Sequence, residues 1–246
     1  MKLYRLTITA ALAFSIIGVA NVSNAAPIIY DFTGPTAGTN VDLGQSHVYT
    51  ASGGPNITAT AGIYSGSPPA GNGDTFSTFS SVHLVGNNRG TDEQGVGVCG
   101  SSSGDCSDSS SGPPSQRHQL QNNGEIDYSG KEVIRLDISS LFSSFGSFQI
   151  NADSATDGEL LGIFSSNSAT SLGTKLADIT GAQNNVGITP TGNYLYFVSD
   201  ANHSTGDVLL HSLTVTPNAV PEPASLALLG TGLLGFGLTR RRRNAA

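Results

Sequence analysis

The sequence predicts an all-β protein: an antiparallel β-sandwich, jelly-roll-like, over residues 26–218, flanked by an N-terminal signal peptide and a C-terminal single membrane helix. Three observations carry this prediction. Short apolar alternations recur about eleven times between clusters of Gly, Pro, Asn and Ser, the punctuation of many short strands. Charged residues make up only 12% of the 246 residues, about half the roughly 25% usual in soluble domains. No stretch has the length and 3.6-residue period of a long amphipathic helix, and helical surfaces need more Lys, Glu and Arg than this chain has.

Taken in order, the expected strands are Ile28 to Phe32, His47 to Ala51, Ile57 to Tyr64, Phe76 to Val85, Gly95 to Cys99, Glu132 to Ile138, Phe145 to Asn151, Glu159 to Ser165, Lys175 to Ile179, Tyr194 to Ser199 and Val208 to Thr216. Period two is clearest where Ile134, Leu136 and Ile138 fall on one face and Arg135 and Asp137 on the other. Leu213 and Val215 alternate with Thr214 and Thr216 in the same way. Ser139 to Phe145 fits one short turn of helix.

The N-terminus has the three parts of a secretory signal peptide. Lys2 and Arg5 make a basic start, Leu6 to Val22 carries no charge, and Ser23, Asn24 and Ala25 supply small residues for cleavage. Cleavage is expected after Ala25, because a cut after Ala26 would place the rigid Pro27 against the scissile bond. Residues 1–25 therefore engage the Sec translocon and signal peptidase.

At the C-terminus, residues 219–243 read Pro221, Glu222 and Pro223, then an apolar run over residues 224–238, then Arg240, Arg241, Arg242 and Arg243. As a helix the fifteen-residue run spans about 22 Å, against a hydrocarbon core of roughly 30 Å. The arginines can snorkel to extend it and hold that end on the cytoplasmic side. The body is thus exported while its tail sits transiently in the inner membrane. Inside this run Gly230, Gly232 and Gly235 fit G-x-G-x-x-G. A dinucleotide fingerprint needs a strand before it, a helix after it and an acid about twenty residues on, and the chain ends too soon. These glycines fit close packing against a membrane partner better.

Pro-Glu-Pro, a Gly-rich apolar helix and a terminal Arg cluster resemble the PEP-CTERM sorting tail, also known as the ice-binding protein C-terminal domain. The resemblance implies recognition by an exosortase, a membrane-embedded cysteine transpeptidase that cuts near Pro-Glu-Pro and releases or re-attaches the body. It further implies a cell-surface or extracellular protein of a Gram-negative bacterium that makes exopolysaccharide and biofilm. No regular Thr-x-Thr ladder in the body would template ice.

Residues 86–123 are expected to form a long surface loop, rich in Ser (Ser101 to Ser103, Ser109 to Ser111) and carrying Gly112, Pro113 and Pro114. Cys99 and Cys106, the only cysteines of an exported chain, are expected to pair. The eight-residue ring would contribute about 2.5 kcal/mol on the chain-entropy account. Around this loop, Gly90 to Val98, Gly124 to Asp127 and Glu132 to Asp137 are similar to a core that recurs among PEP-CTERM cargo proteins, which implies a shared β-scaffold and no particular activity.

Net charge is −7, yet residues 26–220 hold five basic residues and seventeen acids, a balance of 5 − 17 = −12. Such a body repels a phosphate backbone, so no nucleic-acid partner is expected. Gly100, Ser102 and Gly104 match the nucleophile-elbow pattern G-x-S-x-G, but lie in a Ser/Gly loop rather than at a strand-to-helix turn. His47, His83, His118, His203 and His211 form no i, i+4 pair, and no transition-metal site is expected. The acids are more suggestive. Glu125 with Asp127, and Asp153 with Asp157 and Glu159, are candidate Ca²⁺ ligands, since calcium takes six to eight oxygens from carboxylates and loop carbonyls. A full calcium loop is absent, because residue 155 is Ala and residue 164 is Phe. A glycosidase carboxylate pair is the alternative chemistry, disfavoured by the lack of any Trp for sugar stacking. The expected function is that of a non-catalytic cell-surface or matrix protein associated with polysaccharide; the alternative is a secreted hydrolase acting on polysaccharide.

Overall fold

The computed structural model describes residues 22–23, 26–35, 39–88, 94–100, 126–128, 130–153, 159–181, 185–200, 207–218 and 220–221. The chain divides into two compact units, Ala25–Asn218 and the paired ends Met1–Asn24 with Ala219–Ala246. In the second unit, β1 (Val22–Ser23) pairs antiparallel with β17 (Val220–Pro221), Val22 opposite Pro221.

The body carries β2 (Ile28–Asp31), β3 (Thr39–Gly44), β4 (Ser46–Tyr49), β5 (Ile57–Tyr64), β6 (Phe76–Ser77), β7 (His83–Asn88), β8 (Gln94–Cys99), β9 (Ile126–Asp127), β10 (Glu132–Asp137), β11 (Phe145–Asp153), β12 (Leu160–Ser166), β13 (Thr174–Thr180), β14 (Asn185–Ile188), β15 (Tyr194–Ser199) and β16 (Asp207–Pro217). Helix α1 is the single turn Ser139–Phe142. It is shorter than the sequence suggests because β11 already begins at Phe145.

Two antiparallel sheets result. The first has the order β13-β12-β15-β10-β5-β4, with β6 also on β5. The second runs β14-β11-β16-β8-β7-β3, and β2 and β9 also pair with β16. Strand β16 is the spine of the second sheet: one edge pairs with β11, while the other meets β9, β8 and β2 in turn.

Period-two patterning places the core. Ile134 and Leu136 of β10 and Leu195 and Phe197 of β15 join Tyr30, Val96, Val98, Ile150, Leu213 and Val215 of the second sheet in one buried cluster. Opposite faces of the same strands send Val133, Tyr196 and Val198 into a second cluster with Tyr64, Phe76, Phe164 and Leu172. Two loops cover that cluster and are stitched together by Phe76 N–H to Thr170 O (2.9 Å), Leu172 N–H to Asp74 O (2.9 Å) and Gly73 N–H to Gly173 O (2.9 Å). The centre of the first sheet is therefore buried on both faces, which explains the continuous apolar reading of Tyr194–Ser199.

The expected strand Phe76 to Val85 is two strands, β6 and β7. Between them the chain turns outward, with Phe79 46% exposed. The expected loop over residues 86–123 is corrected at its start, since β7 runs to Asn88, while β8 at Gln94–Cys99 bears out the expected strand Gly95 to Cys99. Glycines there mark close approach rather than a loop. At Gly95, with φ +148°, a Cβ would stand 2.6 Å from Leu210 O. Residues 101–123 of that loop lie outside the described residues, as do residues 1–20 of the expected signal peptide and the membrane helix at 224–238. Among the described residues no helix is long and apolar enough to cross a membrane.

Candidate functional site

The register of the first sheet aligns a partly open row on its outer face. Val48 of β4 stands opposite Thr58 of β5, Thr58 opposite Asp137 of β10, and Asp137 opposite Tyr194 of β15. Val48 is 51% exposed, and Thr58, Asp137 and Tyr194 are half-buried. In the next row Arg135 lies between Thr60 and Tyr196.

Arg135 is held from several sides. Its Nη1 donates to Ala169 O at 2.6 Å, and its Nη2 to Thr60 Oγ1 at 3.3 Å. The guanidinium lies 5.0 Å from the Phe76 ring centroid and 5.5 Å from that of Tyr194, each within cation–π range. Its Nε is buried without a hydrogen-bond partner. Below it, the Tyr196 hydroxyl donates to Ser168 O at 2.6 Å, and burial pushes that phenol up to about 12. The result is a rigid base under a Tyr ring whose register neighbours are Asp137 and Ser166.

A second group sits beyond β12. Lys175 Nζ bonds Asp200 Oδ2 and lies 2.7 Å from Asp178 Oδ1. Burial is the main cause holding the Asp200 carboxyl above the usual carboxylate range, against the opposing pull of Lys175. For Lys175, burial alone would lower its affinity for the proton, but bonds to Asp178 and Asp200 raise it overall.

Two further carboxylates are fully buried and serve backbone donors. Glu132 accepts Gly100 N–H at 3.0 Å, and Asp153 accepts Gln94 N–H at 2.9 Å. Of the candidate calcium ligands, Asp153 thus anchors the start of β8. Asp127 pairs through its backbone with Asp207, and Glu159 is half-buried. Glu125 and Asp157 lie outside the described residues. Among the described residues no three His, Cys, Asp or Glu side chains converge on a metal position.

The described histidines are dispersed. His83 Nδ1 meets Asp42 Oδ2 at 3.0 Å, and His211 Nδ1 meets Gln94 O at 2.9 Å. Cys99 is 3% exposed at the end of β8, and no free thiol occurs among the described residues. Cys106, Glu222, Pro223 and Arg240 to Arg243 lie outside them.

Neither the Arg135–Tyr194 row nor the Lys175 group was singled out by sequence reasoning. Arg135 and Asp137 had a visible signal, since they oppose the apolar face of β10. Lys175 and Asp178 showed only an i, i+3 charge pair, with Asp200 far off in sequence.

Comparison with known families finds the PEP-CTERM protein-sorting motif at residues 219–243. That motif marks an exported protein, makes exosortase its processing partner and implies a membrane-held precursor. Neither the curated proteins nor the solved structures provide a match to the chain.

Proposed function

We propose that this chain is an exported, non-catalytic cell-surface or extracellular-matrix protein whose body associates with exopolysaccharide in a biofilm. The observation that carries the reading is the sorting motif at residues 219–243. The body behind it is read as a jelly-roll sandwich. In support, the later strands fall in the order β8-β16-β11-β14 in one sheet and β10-β15-β12-β13 in the other. The last strand of each sheet thus inserts between strands formed earlier, as two interleaved Greek keys require; this architecture is also that of lectin domains. The eight-residue ring Cys99–Cys106 closes the base of the loop after β8, in keeping with the absence of a free thiol among the described residues.

The row from Val48 to Tyr194 is read as the polysaccharide face. A Tyr ring offers an apolar surface to a sugar ring and a hydroxyl for hydrogen bonding, and Arg135 fixes that ring in place. Asp137 beside it, and Thr58 one strand further on, can take up sugar hydroxyls. The carboxylate pair Asp178/Asp200 is engaged by Lys175 Nζ, which speaks against its use as a glycosidase pair.

Purified mature protein is to be passed over immobilised neutral and acidic bacterial polysaccharides, and the same material assayed against soluble forms of each for chain shortening. Retention without shortening, reduced at least tenfold in Tyr194→Ala, is expected. Shortening of any polymer would replace this reading with the hydrolase one, and retention unchanged in Tyr194→Ala would remove the row as the binding face.

A further inference from the structure

Three strands bring one amine and two carboxyl groups together on the outer face of the first sheet. Lys175 and Asp178 stand on β13, and Asp200 directly follows β15. Strand β12 runs between them, so the two sides are roughly 9.5 Å apart, backbone to backbone. At the crossing β12 carries Gly162, paired with Asp178 on one side and Val198 on the other. A Cβ at Gly162 would stand 3.0 Å from Asp200 Cβ and 3.1 Å from Asp200 Oδ2. The missing side chain leaves the space in which groups from strands two apart make contact. A register shift between Ile163 and Phe164 sets Lys175 opposite Phe164 and turns its stem toward that space.

All three groups meet at one nitrogen. Lys175 Nζ is bonded to Asp200 Oδ2, with Asp178 Oδ1 2.7 Å from the same nitrogen. The Asp200 side chain is 2% exposed, and its Oδ1 is buried with no hydrogen-bond partner. An ionised carboxylate with an unmet oxygen is a costly occupant of such a site. A neutral amide in its place removes both charges at once. The Asp178 carboxyl flanks the same nitrogen, so it stands beside the reacting pair.

We propose that Lys175 Nζ and Asp200 Cγ condense to an intramolecular amide, which cross-links β13 to the end of β15, with Asp178 carrying the proton. Moving one proton within the ammonium–carboxylate pair gives a neutral amine and a carboxylic acid, with no exchange with solvent. The Nζ lone pair attacks Cγ and the N–C bond forms. Asp178 accepts a proton from the nitrogen and delivers it to the hydroxyl of Asp200, the C–O bond breaks, and water leaves. Amine plus carboxylic acid gives amide plus water, so no oxidant, nucleotide or cofactor enters. Burial favours the protonated, electrophilic form of Asp200. Holding amine and acid in contact supplies the effective concentration that free solutes lack. Lys175 and Asp178 side chains are 33% and 36% exposed, which gives the released water its exit. This proposal stands independently of the polysaccharide reading.

The test uses mature protein from its own host, reduced, digested with trypsin and sequenced by tandem mass spectrometry. After Arg135 the next basic residue is Lys175, and none follows it before the mature C-terminus. An acylated Lys175 is no longer cleaved, so wild type is expected to yield one peptide beginning at Leu136 and running through Lys175, lighter by one water. Fragment ions should place the link between Lys175 and Asp200, which separates it from succinimide formation at Asp157–Gly158. Asp200→Ala should restore cleavage after Lys175 and the full mass, and Asp178→Asn should leave a larger unlinked fraction early after synthesis. Wild-type protein of full mass, cleaved after Lys175, overturns the proposal, as does a water loss mapped elsewhere with cleavage intact. The wild-type result decides the matter even if a variant does not fold.

Discussion

Phe197 is the side chain on which the shared core can be tested most sharply. It lies on the central strand β15, fully buried, and its register partners Ile134 and Ile163 belong to the same cluster as Leu213 and Val215 of the other sheet. Phe197→Ala removes a ring that has neighbours on its own sheet and no room to swing outward. Such a deletion costs about 3–5 kcal/mol, because the lost transfer free energy is joined by the cost of the cavity. For a domain of this size each kcal/mol moves Tm by roughly 2–4 °C, so a fall of about 6–20 °C follows. Phe79→Ala removes the same ring from a position 46% exposed and should shift stability by no more than about 0.5 kcal/mol. With seven Tyr and no Trp, tyrosine fluorescence in a urea series is the natural probe. The urea midpoint should drop for Phe197→Ala with its slope unchanged. Equal, small losses for the two variants would refute the placement of the core between the sheets.

Two further outcomes follow from the buried phenol and the acids. Burial lifts the Tyr196 phenol from 10.0 to about 12, so its contribution is whole below pH 10 and is lost as pH rises through about 12. Urea midpoints measured from pH 8 to 12 should fall most steeply above pH 10, and Tyr196→Phe should flatten that slope after losing about 1 kcal/mol with its bond to Ser168 O. If Glu125, Asp127, Asp153, Asp157 and Glu159 hold Ca²⁺, a hundredfold excess over Kd adds about 2.7 kcal/mol, or about 5–10 °C in Tm. Melting in Ca²⁺, in EDTA and in NaCl of equal ionic strength reads this directly; equal values in all three would remove calcium from the account, whereas a Ca²⁺-specific rise should vanish in Asp127→Asn.

Legibility in the sequence followed burial. Ile57–Tyr64 and Tyr194–Ser199 were readable to the residue because both lie inside the first sheet and are mostly buried, with Ile57, Ala59, Ala61, Leu195 and Phe197 in the core. The edge strands β3 and β14 escaped notice. Thr39–Gly44 and Asn185–Ile188 have one neighbour each and little buried surface, so Asn, Asp and Gly interrupt their alternation. The break between β6 and β7 was hidden by Phe79, an aromatic residue that points outward. On the outer face, Arg135 read correctly as non-core, but its place beneath Tyr194 depends on pairings between strands about sixty residues apart. Lys175 and Asp200 meet only because Gly162, on a third strand, has no side chain. That coincidence of three elements has no linear signature. The sorting tail is the opposite case, a local signal written wholly in consecutive residues, and it was legible without any fold.

The measurement closest to the central claim is the intact mass of the mature protein, taken non-reduced from the envelope and medium of its own host, with and without a functional exosortase. Residues 1–25 should be absent in both strains, with two hydrogens missing for the Cys99–Cys106 bond and one water for the Lys175–Asp200 amide. In the exosortase-competent strain the mass should end near Pro221–Pro223, and without the enzyme the chain should stay in the membrane with Arg240 to Arg243 attached. Extracellular protein that still carries those four arginines, in equal amount from both strains, would contradict the account.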